Sequence, residues 1–314
     1  MIQEDKTIKA LQTTSAGGFI SDDAAVLPNV DVSNRYVISK DLLVENVLFR
    51  ATYFMPEDLA HKALHVNLSV IAAMGAEPLY ILCGIFIPSN LQDYAHRFLN
   101  ALTATCQNVG IALIGGDTTA SKDRLFISIK AIGTAPESNI KYRNGAKASD
   151  LICVIGNLCF AHLGFLGLEQ SLTTDVKYIN SFSLPEAKMK EGIWLGKQRA
   201  VSSMIDISDG LYISLKRLVS SAGKNAVLDI DLLQSHLNHD VSVQVALEDG
   251  ENYGLLVTIH QGSFEELSHK FMESFGYDLK VIGYINDGDG ISFEQNGKPV
   301  EITVNHFAHF GERL

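Results

Sequence analysis

Cysteine is scarce in this chain of 314 residues. The four present, Cys83, Cys106, Cys153 and Cys159, sit in apolar surroundings and form no C-x-x-C pair, so they read as buried, reduced thiols of a cytosolic protein. Long apolar runs are missing too. The longest, Leu79 to Pro88, is far short of the roughly 20 residues needed to span a bilayer. Met1-Ile2-Gln3-Glu4-Asp5-Lys6 lacks the basic and apolar regions of a signal peptide, and a cytoplasmic location is expected. Basic residues are in deficit, 25 against 36 acidic, giving a formal charge of -11. That balance argues against nucleic acid or an anionic membrane as main partner, although a bound metal would let an acidic pocket accept a nucleotide. Also absent are a Walker A lysine loop, G-x-G-x-x-G, a G-x-S-x-G elbow and any internal repeat.

What is present is enough apolar sequence, 46%, for two domains with real cores, and a set of acids in unusual places. In Leu113-Ile114-Gly115-Gly116-Asp117-Thr118-Thr119 an apolar run from Ile111 stops at two glycines, an acid and two hydroxyls. This reads as a buried strand delivering a carboxylate to a loop where backbone amides and a cation meet phosphate. Three more stretches share its grammar. They are Ser21-Asp22-Asp23-Ala24-Ala25-Val26-Leu27, Ser39-Lys40-Asp41-Leu42-Leu43 and Met204-Ile205-Asp206-Ile207-Ser208-Asp209-Gly210-Leu211. Acids inside apolar sequence are costly to bury unless cations pair them, so the four stretches point to a shared metal cluster. Lys40 is either a solvated lysine or a cation serving the phosphate site.

The remaining pattern is α/β. A strand over 35–39 runs into Asp41; a helix follows from Pro56 to Met74, with Glu57 and Asp58 in its first turn and Gly75 as its stop. His61 and His65 share a face of that helix but lack the acid ligand a zinc site needs. Strand 79–88, helix 90–108, the Gly-Gly-Asp loop and strand 125–133 make a βαβ-rich first half, and the polar stretch 134–144 is the expected domain boundary. The second half reads as a strand over 150–156, helices near 162–170 and 185–200, and a helix 211–222 capped by Gly223. Ser208 and Asp209 then stand at a helix N-terminus, where plain capping is the alternative to a ligand role. Strands at 241–247, 255–260, 279–285 and 300–304, one helix at 264–275, and a hairpin turn at Asn286-Asp287-Gly288-Asp289-Gly290 complete the expectation.

These stretches, in this order, resemble the thiamine-monophosphate kinase family of the aminoimidazole ribonucleotide synthetase-like superfamily. The resemblance spans nearly the whole chain and includes Val66-Asn67-Leu68-Ser69, Ala72-Ala73-Met74-Gly75-Ala76, Arg143-Asn144-Gly145-Ala146 and Gly250-Glu251-Asn252-Tyr253 besides the acidic stretches. It implies an N-terminal α/β domain, 1–137, binding ATP and metal and joining its strands to a partner's in a dimer-interface barrel. A C-terminal α+β domain, 138–314, would close on the nucleotide. It further implies magnesium-dependent phosphorylation of thiamine monophosphate to thiamine diphosphate by ATP in a homodimer. Matching positions make Asp23, Ser39, Asp41, Asp117, Asp206 and Asp209 metal ligands, place Gly116, Asp117, Arg143 and Ser208 at ATP, and put Glu251 and Phe307 at the acceptor, with Asp41 and Asp117 central to catalysis.

The departures fall at the site. Where the family has a metal-bridging aspartate after Asn-Leu-Ser, this chain has Val70; a hydroxyl before Asp41 is Lys40, and a substrate histidine is Leu48. The family's Gly-Glu-Asp-Tyr-Glu has become Gly250-Glu251-Asn252-Tyr253-Gly254. Either fewer metals are used and Lys40 supplies charge, or a weakened or inactive phosphate-binding homologue persists; another ATP-dependent enzyme of the superfamily is the further alternative. Selenophosphate synthetase would need a reactive cysteine near the N-terminus, and the first here is Cys83.

Overall fold

A computed structural model describes residues 25–26, 33–170, 174–238 and 241–305. The first sheet has five strands in the order β1-β2-β5-β3-β4: β1 Ala25–Val26, β2 Asn34–Val44, β3 Glu77–Pro88, β4 Ala112–Ser121 and β5 Phe126–Pro136. Two helices, α1 Pro56–Ala73 and α2 Gln92–Asn108, cover one of its faces. Alternation along the strands does the sorting. Val37, Leu43, Ile81, Ile85, Ile127, Ile129 and Ala131 point into the core beneath the helices. Leu42, Tyr80, Phe86 and Phe126, each an odd number of residues from the core-facing ones on its strand, stay exposed on the opposite face.

Helix α1 starts where Pro56 fixes φ and two acids meet the positive end of the helix dipole. It stops at Gly75, whose φ of +70° few other residues adopt, with Ala76 N donating to Ile71 O at 3.2 Å. Strands β3 and β4 are parallel, and α2 makes the crossover between them.

The second sheet, in the order β12-β11-β8-β10-β6-β9-β7, comprises β6 Asp150–Ile155, β7 Val201–Ile207, β8 Asn225–Asp229, β9 Gly254–His260, β10 Lys280–Asn286, β11 Gly290–Gln295 and β12 Lys298–Val300. Its helices are α3 Phe160–Glu169, α4 Val176–Ser183, α5 Met189–Gly196, α6 Leu211–Ala222, α7 Ile230–Ser235, α8 Val243–Glu248 and α9 Phe264–Phe275. One core lies against α6, α7 and α8, and another gathers Leu195, Phe271 and Leu255 with Ala72 and Ala73 of α1. Helix α1 therefore packs on both sheets.

Several expectations are corrected. The Gly-Gly-Asp segment is no loop after a buried strand: β4 is an exposed edge strand that continues through Ser121, paired with β3. Gly116 is needed for that pairing, since a Cβ there would lie 1.8 Å from Cys83 O. The 241–247 segment is helical because Ser242 caps it, accepting from Val245 N at 3.3 Å, and Ala246 and Leu247 bury at helical spacing. The 286–290 turn joins no hairpin, because β8 lies between β10 and β11. The helix expected over 185–200 shortens to α5, and α4, β8 and β11 were not anticipated. No closed barrel forms among the described residues of one chain.

Candidate functional site

Along α1 a row of polar groups, Lys62, Asn67 and Ser69, is buried at the junction between the two sheets. Ser69 Oγ donates to Asp206 Oδ2 at 3.2 Å, tying the helix to the end of β7. The buried Asp206 also accepts from Ser208 Oγ at 3.4 Å, and its main-chain carbonyl accepts from Ser214 Oγ at 2.8 Å. Asp41, on the helix-covered face of β2, adds to the negative field around Tyr253, as Asp206 does.

The 249–253 segment closes this junction. Glu251 N donates to Ser208 O at 2.7 Å and Tyr253 N to Ile207 O at 2.9 Å, so the segment is docked on the loop that follows β7. Glu251 and Tyr253 both hold positive φ, +65° and +48°, which non-glycine residues adopt only when their surroundings enforce it. The Tyr253 phenol donates to Glu251 Oε1 at 2.9 Å, and Lys62 Nζ meets Glu251 Oε2 at 2.6 Å. Burial first, then the Glu251 charge, pushes the Tyr253 phenol well above its ordinary value, so it stays a donor. Burial pulls the Lys62 ammonium down while the Glu251 carboxylate opposes that. Asn252 accepts from Cys159 N at 3.0 Å and donates to Asp249 O at 3.1 Å, while Asp249 meets His162 Nδ1 at 3.2 Å. Asn252 also helps line a cavity of about 400 Å³ with His61, Asn157 and Phe160.

The other expected residues lie elsewhere. Asp117 of β4 pairs in register with Gly84 of β3 and lines a hollow of about 310 Å³ on the open face, together with Lys40, Ser128 and Lys130. Asp41 is on the other face of the same sheet, so the period-two alternation of strands separates the two carboxylates. Among the described residues no group of three His, Cys, Asp or Glu is gathered to hold a metal, and the single shared cluster expected of the acids is not assembled there. Asp209 is ion-paired with Arg217 of α6. The Arg143–Gly145 turn packs against α6 and β7, with Gly145 against the main chain of Ser202 near the start of β7, whereas Ser208 follows its end. Leu48 is half-buried in the turn after β2, and Gly116 is embedded in the β3–β4 pairing. Asp23 and Phe307 lie outside the described residues.

Lys62 and Lys130 were missed by sequence reasoning. Lys130 is a lone cation in an otherwise apolar strand, which is the signal that would have found it, while Lys62 is the single lysine or arginine of a helix with several polar residues. Lys130 stands directly opposite Lys40 in the β2–β5 register, and like charges so placed repel unless an anion lies between or beside them. The cysteines behave as expected: all four are free and buried, with burial pushing the thiols of Cys106 and Cys83 up to about 11 and about 12. His61 Nε2 and His65 Nδ1 bond Pro185 O and Ala187 N, so neither nitrogen is spare for a metal.

Residues 21–135 match the family described as AIR synthase related protein, N-terminal domain. Among curated proteins, the thiamine-monophosphate kinase of Haemophilus influenzae (strain ATCC 51907 / DSM 11121 / KW20 / Rd) is 33% identical over 307 residues, 93% of this chain and 92% of the relative. Among solved structures, thiamine-monophosphate kinase from Stenotrophomonas maltophilia K279a superposes with a TM-score of 0.75 at 28% identity, covering 94% of this chain and 96% of that one. AaThiL complexed with AMPPCP and TMP gives a TM-score of 0.82 at 24% identity, covering 98% and 97%.

Proposed function

Since the chain belongs to the thiamine-monophosphate kinase family, we propose that it transfers the terminal phosphoryl group of ATP to the phosphate of thiamine monophosphate, giving thiamine diphosphate. The observation that carries this reading is the coincidence of similarity over 93% of the chain with a polar junction where α1 ties Asp206 through Ser69 and Glu251 through Lys62 between the two sheets. In this reading Arg143 and Ser208 contact ATP at the start of α6, and Glu251 contacts the acceptor.

No general base is needed. A phosphate monoester is already largely dianionic near neutral pH, its second pKa being about 6, so the attacking oxygen carries no proton that must first be removed. The barrier is the approach of two anions. Lys40 and Lys130 gather positive charge beside Asp117 on the open face of the first sheet, the side away from Asp41 and Asp206.

The donor set suits magnesium. Asp41 and Asp206 offer hard carboxylate oxygens, and Ser39 Oγ and Asn67 Oδ1 on the flanking strand and helix are buried with no hydrogen-bond partner among the described residues. When bound, magnesium neutralises phosphate charge and polarises the transferred group. Ser39 and Asp23 belong to the same proposed ligand set, whereas Asp117 faces the other side of the first sheet and Asp209 is ion-paired with Arg217, so neither joins it within one chain. With Val70 in place of a family aspartate one metal carboxylate is missing, and Lys40 would supply compensating charge from the open face of the sheet, beside Asp117.

The test is ADP release from ATP, magnesium and thiamine monophosphate, with the product resolved by chromatography. Thiamine diphosphate should appear in step with ADP. Bound ATP with no such product at any magnesium concentration overturns the reading. Val70→Asp combined with Lys40→Thr should shift the magnesium dependence of turnover, and an unchanged dependence removes the compensating role of Lys40.

A further inference from the structure

Of the basic residues described, only Lys62 and Lys141 are buried, and the Lys62 side chain is just 1% exposed. Lys62 lies in the middle of α1, outside every motif that carries the family resemblance. Its ammonium reaches Glu251 Oε2 at 2.6 Å, donates to Phe182 O at 2.9 Å, and stands 3.8 Å from the centre of the Phe182 ring and 5.5 Å from that of Phe54. Three of these partners need no charge to pack well. A buried ion pair adds little stability over a hydrocarbon pair of the same shape, because desolvating the ions offsets their attraction. What the lysine does achieve is local: it fixes one oxygen of a carboxylate whose other oxygen is fixed by Tyr253. Glu251 itself has a left-handed backbone and keeps a quarter of its side chain exposed. The carboxylate is thus held in one orientation, with Oε2 buried against the lysine and Oε1 on the tyrosine.

We propose that Lys62 is the positioning residue for Glu251, setting its carboxylate to receive the positively charged heterocycle of the acceptor. This rests on the reading of Glu251 as an acceptor contact. It assigns the α1 lysine a role in recognition of a cationic ring and none in contact with either phosphate. It also links the two halves of the chain, because the lysine belongs to the helix over the first sheet and the glutamate to the segment entering β9. Phe182 of α4 completes the clamp by holding the ammonium between its ring and its own carbonyl.

Binding of thiamine monophosphate and, separately, of a non-hydrolysable ATP analogue is measured by calorimetry for the wild type, Lys62→Met, Glu251→Gln and the double variant. Lys62→Met should weaken thiamine monophosphate at least tenfold and the ATP analogue less than twofold. The double variant should bind the acceptor no worse than Glu251→Gln alone, since the lysine acts through the glutamate. Equal loss for both ligands, or losses that multiply in the double variant, would overturn the proposal. Absence of thiamine monophosphate binding by the folded wild type would instead sink the kinase reading itself, and this role with it. If Lys62→Met does not fold, Lys62→Arg decides. Its forked, longer cation keeps the charge but displaces the carboxylate, so acceptor affinity should fall severalfold with ATP affinity unchanged, and an unaltered acceptor affinity refutes the role.

Discussion

The His65 ring stacks on His61 with centroids 4.0 Å apart, and burial, with a smaller contribution from His61, holds its pKa down to about 4. Its Nδ1 accepts from Ala187 N at 3.2 Å, so the fold needs the neutral ring. The sign follows from linkage. The unfolded chain takes up this proton near pH 6.5 and the folded one only near 4, so the contribution is intact above 6.5 and is lost as pH falls from 6.5 to 4. At roughly 1.4 kcal/mol for each pH unit of difference, the loss amounts to about 3 kcal/mol. Urea unfolding at pH 7.5 and pH 4.5 should show that drop in the wild type and a clearly smaller one in His65→Gln; parallel drops would refute the burial account. At this scale the sequence exposes some chemistry and hides the rest. Asp41 and Asp206 stood out because acids amid apolar neighbours need a reason to be there, whereas Glu251 came only from the family resemblance. The side on which Asp117 falls was not, because it depends on a bulge between Leu113 and Gly115 in the β3–β4 pairing, and pairing is a property of two segments. Lys62 escaped notice because the apolar period of α1 is satisfied by its neighbours.

Helix α1 is the element on which the site depends, since it carries Lys62, Asn67 and Ser69 and packs on both sheets. Its contact with α5 is unusually close. A Cβ on Gly192 would lie 2.3 Å from Ala72 O, near the point where α1 ends. Alanine favours a helix over glycine by about 1 kcal/mol, whereas overpacking costs about 1–3 kcal/mol where neighbours must move, and here the neighbour is rigid backbone. Gly192→Ala should therefore destabilise the protein by about 2 kcal/mol net and lower acceptor binding, because shifting α1 shifts Lys62. Thermal and urea unfolding check the first, calorimetry the second, and a variant as stable as the wild type would show that the helices are not in this contact. Elements with strong local signals were legible: α1 from Pro56, α6 ending at Gly223 and α9 ending at Gly276. Those defined by partners were not. Val241, Val243 and Val245 alternate as a strand would, yet the Ser242 cap and the burial of Ala246 and Leu247 make α8. Strands β10 and β11 looked like a hairpin until β8, distant in sequence, took the place between them.

For the whole molecule, the first sheet is finished on one face only. Leu42, Tyr80, Phe86 and Phe126 are 38–55% exposed, and Phe86 and Phe126 oppose each other across β3 and β5 with rings 6.1 Å apart. Exposed large apolar side chains gathered on one sheet face, here around Lys40, Lys130 and Asp117, are characteristic of an interaction site. Edge strand β4 adds exposed backbone and Ile114, 54% exposed, at its bulge. Edges of this kind invite further strands unless they are covered. We infer that a second copy covers both, in line with the homodimer and shared barrel that the family resemblance implies, and that the paired Lys40 and Lys130 then face an enclosed, phosphate-attracting space beside Asp117. Burying a large apolar side chain contributes about 1.5–3 kcal/mol, and each substitution counts twice in a symmetric pair. Leu42→Asp combined with Phe126→Asp should weaken self-association by at least a hundredfold while leaving the fold intact, because neither side chain reaches the core beneath α1. Light scattering should give the wild type twice the mass of one chain and the variant the mass of one, with unchanged circular dichroism. The monomeric variant should also lose ATP turnover if Lys40, Lys130 and Asp117 act within that enclosed space. Full turnover in a proven monomer would separate the open face from the chemistry, and a monomeric wild type would dismiss the homodimer altogether.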